Sequence, residues 1–337
     1  MKHVVRRQWF AMVIVALAAA APIASHAQEV LRIGAVIFGA HSSVRAAKEV
    51  FVPEVDKATN GRYKVELYTD GQLGGNAEMV QQARNGTIFG ALVSSAWMTS
   101  YVPRIAVTGL PFLFETREAA FRVFDGPVGQ EFANAMDSSG FVPLGFMELG
   151  FRHLTTSTKK VSTPEDLKGM KIRLQANPVH QDTFRALGAN PVQIDGQELF
   201  AALSQGIADG QENPYSVISL FKLVDAKQKF LTETGHFYDA LTFVGSKRIM
   251  DRMSAADRRA IIDVAAKTTA LQRKYAAEEE SRYRADLVQK GVQITQLTPE
   301  QRKRFRDATM SVYDKTEKDM GADFVKRFVA AARGETR

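Results

Sequence analysis

Four histidines follow residue 27, and histidine is the side chain most often used for proton transfer and metal binding near neutral pH. They are His41, His153, His180 and His236. None of them stands at a spacing typical of metal ligands, so we expect no metal site. His153 follows Arg152 directly and could line a ligand site, although a buried structural histidine is the alternative interpretation.

Catalytic motifs are absent from the sequence. It contains no G-x-S-x-G nucleophile turn, no H-E-x-x-H zinc motif, no G-x-x-x-x-G-K-[ST] phosphate loop and no G-x-G-x-x-G dinucleotide motif. Its acidic residues show no spacing that marks an acid–base pair. The glycines at 71–75 are typical of a turn before a helix. These observations favour a protein that is not an enzyme and that needs no cofactor.

The first 27 residues have the three-part layout of a signal peptide. Lys2, Arg6 and Arg7 precede an apolar run at 9–21, and small residues at 25 and 27 precede the expected cleavage site. The apolar run is shorter than the ~20 residues that cross a bilayer as a helix. We therefore expect cleavage near Gln28 and export of the remaining chain to the periplasm.

Charge and cysteine content narrow the choice of partners. The signal peptide holds three of the 44 basic residues and none of the 37 acidic ones, which leaves 41 against 37 in the exported chain. Charges of both signs are interspersed at 273–284 and 302–318, as is typical of solvated helix faces. The absence of cysteine excludes a disulfide and a lipid-anchored N-terminal cysteine. We expect a monomer that binds no nucleic acid.

Short apolar segments alternate with helical patterns along the chain. Strands are predicted at 30–37, 63–68 and 88–94, and the pattern resumes with strands at 141–148 and 170–174. One helix start is marked by T-P-E-D at 163–166, a capping box with proline in the first turn. The alternation predicts an α/β fold with a largely parallel sheet, and a chain of about 310 residues favours two domains.

A helical stretch without glycine or proline runs from Ser254 to Lys290. It would be roughly 50 Å long if continuous, which exceeds the diameter of one small domain. Two interpretations are open, namely two helices with an unmarked break or a single helix that spans both domains. A final helical region begins at a second capping box, T-P-E-Q at 298–301.

Six short segments along the chain together carry a family resemblance. They are Y-T-D-G-Q-L-G at 68–74, S-A-W at 95–97, G-F-R at 150–152, K-G-M-K-I-R at 168–173, F-R-A-L-G-A-N-P at 184–191 and D-G-Q-E-N-P at 209–214. The sequence resembles the substrate-binding subunits of tripartite ATP-independent periplasmic (TRAP) transporters, DctP type, over nearly all of the exported chain. The resemblance implies capture of a small carboxylate, an organic acid or a sugar acid such as a hexuronate. It also implies delivery of that ligand to small and large integral membrane subunits.

The resemblance implies a fold as well: a type II-like periplasmic binding protein of two α/β domains, joined by crossing strands and by a long helix that spans both. Domain I would hold 28–149 plus 240–279, and domain II would hold 150–239 plus 280–337. The ligand would lie in the cleft between them, and binding would close the cleft by a hinge motion.

The resemblance implies that arginines and an asparagine bind the ligand. Arg173, in the K-I-R strand, matches the arginine that binds the ligand carboxylate, a role suited to a planar guanidinium that donates two parallel hydrogen bonds. Arg152 matches a second arginine of the cleft. Asn213 matches the asparagine of Q-E-N-P, whose amide can both donate and accept.

The remaining predicted ligand-binding residues are Glu78, Trp97, Gln175 and His153. Glu78 and Trp97 match cleft-facing positions of the first domain, and a core position is the alternative for the tryptophan. Gln175 begins a run at 175–180 that looks like members of the family that bind sugar acids.

One departure from the family pattern concerns Gly196. Many relatives carry an aromatic residue there, so glycine predicts a wider pocket, with Asp195 and Gln197 adding polar contacts. The alternative is that Gly196 supplies a backbone conformation with positive φ. Two other functions are weighed against transport: a secreted α/β enzyme acting on a carboxylate substrate, and a ligand-sensing periplasmic protein of the same fold.

Overall fold

The computed structural model describes residues 28–335, so the predicted signal peptide lies outside the described residues. Within that range a single nine-stranded sheet has the order β2-β1-β3-β8-β4-β7-β5-β6, and β9 pairs with β8. The strands are β1 (Glu29–Ala35), β2 (Tyr63–Tyr68), β3 (Gly90–Ser94), β4 (Phe141–Thr156), β5 (Lys171–Leu174), β6 (Asn190–Gln193), β7 (Gly210–Asn213), β8 (Phe230–Ser246) and β9 (Gln293–Gln296).

Helices cover both faces of this sheet. They are α1 (Ser42–Ala46), α2 (Val52–Ala58), α3 (Asn76–Asn85), α4 (Arg117–Phe124), α5 (Pro127–Ser138), α6 (Pro178–Ala186), α7 (Leu199–Ser204), α8 (Tyr215–Leu220), α9 (Lys247–Met250), α10 (Ala255–Gln289), α11 (Pro299–Ala308), α12 (Met310–Met320) and α13 (Ala322–Arg333). Local sequence explains several ends. Gly86 closes α3 in the left-handed conformation (φ 78°), and both predicted capping boxes form, one before the 3₁₀ turn Pro164–Leu167 and one before α11.

The sheet is mixed, so the prediction of a largely parallel sheet is wrong at its centre. Pairs β1–β2, β1–β3, β5–β6 and β5–β7 are parallel, whereas β4 pairs antiparallel with both β7 and β8, and β8 pairs antiparallel with β3. The cause is a pair of long strands, β4 with 16 residues and β8 with 17. The predicted strand at 141–148 is only the first half of β4.

The two long strands connect two lobes. We call the part around β1–β3 (29–138) the first lobe and the part around β5–β7 (171–221) the second lobe. Buried apolar side chains form a large cluster, which includes Leu31 and Phe89, and a smaller one, which includes Ile172 and Phe184. The large cluster also includes Leu199 and Val217 of the second lobe, so it continues from one lobe into the other. The two-lobed α/β architecture follows from the sheet order, which places β1–β3 at one end and β5–β7 at the other. The residue boundaries of the two predicted domains stay a prediction.

Helix α10 is continuous over 35 residues, so the interpretation as two helices is wrong. The Ser254 hydroxyl accepts a hydrogen bond from the Asp257 amide and caps its start. The helix packs on β4, on α1 of the first lobe and on α8 of the second, and therefore spans both lobes. Across residues 28–335, no helix combines the length and the apolar character needed to cross a membrane.

Candidate functional site

A small cavity lies between the two lobes, at the carboxyl ends of the parallel strands. Its volume is about 40 Å³, and its lining residues are Val36, Ile37, Asn76, Ser94, Trp97, Leu149, Arg173, Gln175, Gly196, Leu199, Asn213, Val217 and Phe221. The first five belong to the first lobe, Leu149 lies in β4, and the rest belong to the second lobe. Ligands of open α/β sheets bind at this edge because the strand ends and helix starts converge there. We call it the inner cavity.

Arg173 is the charged group of the inner cavity. Its side chain is almost fully buried, and its Nε donates to the Ile194 carbonyl oxygen at 2.8 Å. Neither terminal nitrogen of the guanidinium donates to any of the described residues. Burial, and then Arg152, lower its pKa to about 10, so the group is still a cation at neutral pH. A buried cation with free donors facing a cavity is a site for an anion.

Amides and a tryptophan complete this part of the cavity. The Ser94 hydroxyl donates to Asp239 Oδ1 at 2.7 Å and lies 3.2 Å from Gln175 Oε1, which fixes the position of that side chain. Asn213 donates its amide nitrogen to Gln211 Oε1 and thereby leaves its own carbonyl oxygen for the cavity. Trp97 is 7% exposed and lines the same space. Four predicted site residues, Trp97, Arg173, Gln175 and Asn213, are therefore brought together; their binding roles stay predictions.

Arg152 is not among the residues that line the inner cavity, and its predicted role in ligand binding stays a prediction. It is fully buried on β4, where its Nε and Nη2 donate to the Glu212 carboxylate and its Nη1 donates to Asp239 Oδ2 at 2.6 Å. Burial alone would lower its pKa, but Glu212 and Asp239 outweigh burial and raise it. Each of its three guanidinium nitrogens donates to one of these two acids, and Asp239 in turn accepts from the Ser94 hydroxyl.

His153 and Glu78 also lie away from the inner cavity. The His153 ring stacks on Tyr215 with centroids 4.4 Å apart, and its Nδ1 accepts from the Gly235 amide. Burial lowers its pKa to about 3, so it is neutral, as the alternative of a structural histidine requires. Glu78 is exposed on α3 and accepts a hydrogen bond from Gln82. The residue of α3 that does reach the cavity is Asn76, at its start.

Gly196 separates the inner cavity from a larger outer one. The outer cavity has a volume of about 310 Å³ and is lined by Val36, Phe38, Asp70, Gly196, Gln197, Phe200, Phe221 and Lys222. Gly196 does not have a positive φ, so the alternative of a left-handed backbone is wrong. A Cβ at this position would lie 3.3 Å from Asn76 Nδ2 and 3.4 Å from Val36 Cγ1. Glycine therefore leaves a gap that a larger residue would close.

A direct contact between the lobes closes the cleft beside Gly196. The Asp195 carboxylate of the second lobe accepts from the backbone amide and from the side-chain amide of Asn76, each at 2.9 Å. Asn76 is the first residue of α3, where free amides and the helix dipole favour a negative charge. Nearby, Gln197 Nε2 donates to the Gly71 carbonyl oxygen at 3.4 Å. We call the Asp195–Asn76 pair the cross-lobe contact.

A second small cavity, of about 30 Å³, lies beside β4 and α10 and shares Leu149 with the inner cavity. We use the word hinge for this region, where the long strands and α10 connect the two lobes. Glu148 and Glu279 line this cavity, and each has a buried carboxylate oxygen without a hydrogen-bond partner. Burial raises the pKa of Glu148 to about 7, against the opposing effect of Arg117, whose Nη2 lies 3.6 Å from Oε1. We call it the hinge cavity.

Sequence reasoning missed Ser94, Asn76, Asp239 and Glu212 as contributors to the site. Glu212 precedes Asn213 in the D-G-Q-E-N-P segment, so the motif itself was a usable signal. Ser94 ends β3, Asn76 begins α3 and Asp239 lies in the middle of β8, and their partners are far away in sequence. Among residues 28–335, no group of three or more histidine, aspartate or glutamate side chains is arranged to hold a metal ion.

Two α/β lobes that meet over the inner cavity and are joined by two long strands are typical of two-lobed solute-binding proteins. The family follows from comparison with known proteins. Residues 35–319 match the family model described as bacterial extracellular solute-binding protein, family 7 (DctP). The chain belongs to this family, which comprises TRAP-type binding proteins, and the predicted resemblance is confirmed.

Individual relatives agree with this assignment. A solute-binding protein of Verminephrobacter eiseniae is 38% identical over 295 residues, which are 88% of this chain and 87% of the relative. The sugar acid binding protein DctPAm of Advenella mimigardefordensis, solved with galactonate, has a TM-score of 0.88 and 29% identity, covering 92% of this chain and 99% of that one. A TRAP periplasmic solute-binding protein of Ralstonia eutropha, solved with (S)-2-acetolactate, has a TM-score of 0.85 and 33% identity, covering 90% and 99%.

These comparisons confirm three predictions. The two-domain binding-protein fold is shared with the solved relatives. The family consists of periplasmic transport proteins rather than enzymes, so the alternative of a secreted enzyme is set aside. The chain is a TRAP-type solute-binding protein.

Proposed function

We propose that the exported chain, after cleavage of residues 1–27, binds a small carboxylate in the inner cavity and delivers it to the membrane subunits of a TRAP transporter. Arg173 carries this proposal. It is a buried cation whose terminal nitrogens face the inner cavity without a partner. Solved relatives with bound galactonate and acetolactate, both carboxylates, support it.

Arg152 and Arg173 differ in whether the protein itself pairs their charge. Arg152 is neutralised by ion pairs with Glu212 and Asp239. Arg173 has no ion pair among the described residues, and nearby acids act on it only through longer-range charge interactions. A ligand carboxylate supplies the missing ion pair of Arg173 and accepts parallel hydrogen bonds from its two terminal nitrogens. Lobe closure then excludes water and strengthens the interaction.

Calorimetry on Arg173 variants tests the proposal. Arg173→Ala should weaken binding of the carboxylate by about 2–4 kcal/mol, because a charge-assisted pair in a closed cavity is lost and the ligand anion is stranded. Arg173→Lys keeps the charge but not the planar fork, so it should also weaken binding. Arg259→Ala, an exposed arginine of α10, is the matched control and should bind normally.

The ligand for this experiment comes from a thermal-shift screen of organic acids, sugar acids and neutral sugars. A ligand at 100 times its dissociation constant stabilises the folded protein by about 2.7 kcal/mol. Shifts by neutral sugars alone, or native affinity in both Arg173 variants, would overturn the proposal.

A further inference from the structure

Only one charge faces the inner cavity among the described residues, and it is Arg173. The other buried arginine nearby, Arg152, is already held by Glu212 and Asp239. The outer cavity adds Lys222 but also Asp70, so its charges offset each other. A second ligand carboxylate would therefore lie against apolar walls without a cation, which is costly. The charge pattern fits an acid with one carboxylate.

The polar groups of the inner cavity are largely occupied by the protein itself. The Ser94 hydroxyl donates to Asp239, one N–H of the Asn76 side-chain amide donates to Asp195, and one N–H of the Asn213 side-chain amide donates to Gln211. The groups left in the lining that Arg173 shares are the Gln175 amide nitrogen, the Asn213 side-chain oxygen and the second N–H of Asn76 and of Asn213. The Gln175 nitrogen and the Asn213 side-chain oxygen have no hydrogen-bond partner among the described residues. These two groups can recognise one hydroxyl or keto oxygen next to a carboxylate. A row of sugar hydroxyls would be buried without partners, each at a cost.

Apolar side chains make up most of the remaining wall. Seven of the thirteen lining residues are apolar: Val36, Ile37, Trp97, Leu149, Leu199, Val217 and Phe221. Beyond Gly196 the outer cavity continues this surface with Phe38, 38% exposed, and Phe200, 42% exposed. The ring of Phe38 meets that of Phe221 edge-on, with centroids 4.8 Å apart. An apolar path thus runs from Trp97 past Gly196 to the mouth of the cleft.

We propose that the ligand is a monocarboxylate with an apolar body, bearing a single hydroxyl or keto oxygen beside the carboxylate, rather than a dicarboxylate or a polyhydroxylated sugar acid. This inference rests on the proposed carboxylate binding at Arg173. The inner cavity, at about 40 Å³, is far smaller than the roughly 300–1,000 Å³ of pockets for drug-sized ligands. A body longer than a few atoms therefore extends through the gap at Gly196 into the outer cavity.

A series of acids with the same head and a growing body tests the proposal. Calorimetry on the protein without residues 1–27 would use pyruvate, α-ketoisovalerate and α-ketoisocaproate, with succinate and galactonate for comparison. Affinity should rise along the keto acid series by roughly fourfold per buried methylene. Succinate and galactonate should bind at least about tenfold more weakly than α-ketoisocaproate.

Two results would overturn the apolar-body inference. One leaves the proposed function standing, and the other overturns the proposed function as well. If succinate or galactonate binds as tightly as α-ketoisocaproate, and Arg173→Ala abolishes that binding, the apolar-body inference fails while the proposed function stands. If none of the organic or sugar acids binds, the proposed function fails together with the inference.

Gly196→Val tests the path itself. Its side chain closes the gap against Asn76 and Val36, so α-ketoisocaproate should lose about tenfold in affinity while pyruvate changes less than about threefold. Gly39→Val is the matched control, since a Cβ there meets no atom closer than 3.8 Å. Melting both unliganded variants checks that they fold. Equal losses for the short and the long acid would contradict a body that passes Gly196.

Discussion

Replacing Asp195 with alanine removes the cross-lobe contact while leaving the lining of the inner cavity in place. Its carboxylate accepts two hydrogen bonds from Asn76, each at 2.9 Å, at the start of α3. Net contributions of hydrogen bonds to charged groups are about 1.5–3 kcal/mol when buried. Because Asp195 is half-buried, we expect Asp195→Ala to cost the closed form about 1–2 kcal/mol. The two bonds to Asn76 form only when the lobes meet, so their loss should fall on ligand release. Asp195 also accepts from the Gln197 amide at 3.2 Å within its own lobe, and losing that bond affects open and closed forms alike.

Release should therefore become roughly 5- to 30-fold faster, with little change in the association rate. Stopped-flow fluorescence measures this directly, because Trp97 lines the inner cavity and is the single tryptophan after residue 27. Asp314→Ala, an exposed acid of α12, is the matched control. The unliganded variant should melt within about two degrees of the wild type.

Two outcomes would refute this reasoning. Release within about twofold of the wild-type rate would mean that the ligand alone holds the lobes together. A slower association with unchanged release would mean that Asp195 guides ligand entry instead. Asp195→Asn, which keeps one acceptor oxygen, should give an intermediate rate.

Two further predictions concern buried charges near the hinge. Arg152→Ala leaves the buried carboxylates of Glu212 and Asp239 without their cation, so urea titrations should show a free energy of unfolding lower by about 3–5 kcal/mol. The control Arg259→Ala should change it little. A loss below about 1 kcal/mol in Arg152→Ala would contradict the buried ion pair. Glu148 has its pKa raised from 4.5 to about 7 in the folded protein, so the folded state holds a proton that the unfolded state has lost between these values. Its contribution to stability is full below pH 4.5 and is lost as the pH rises through 7. The stability of wild type relative to Glu148→Gln should therefore fall by about 2.5 kcal/mol from pH 5 to pH 8. Parallel stabilities at the two pH values would show that Glu148 is not the titrating group.

Much of the local structure could be predicted, because it depends on neighbouring residues. The capping boxes at 163–166 and 298–301 and the start of α10 at Ser254 formed as predicted. The antiparallel centre of the sheet could not be predicted in this way. It depends on the pairing of β4 with β8, whose paired residues lie 74 to 105 positions apart, and strand periodicity does not encode partners.

In the candidate site, too, features that depend on local sequence could be predicted, whereas contacts between distant residues could not. The motif resemblance placed Arg173 and Asn213 in one cavity, together with Trp97 and Gln175. It also placed Arg152 there, but the acids that occupy Arg152 lie 60 and 87 positions away in sequence. No local sequence pattern predicts these ion pairs. The partner of Asp195 is likewise 119 positions distant, so the cross-lobe contact became visible only in the folded chain.

The inner cavity has two walls of very different tolerance to change, with consequences for how this protein diverges. On one side, Arg173 and Gln175 adjoin a charged network through Ser94, Asp239 and Arg152, in which the loss of one member strands the others. On the other side, Gly196, Leu199, Val217 and Phe221 are small or apolar, and none of them belongs to that network. Selection for a new nutrient would act on the second wall, one substitution at a time. The carboxylate end of the ligand would persist across paralogues, while the other end drifts.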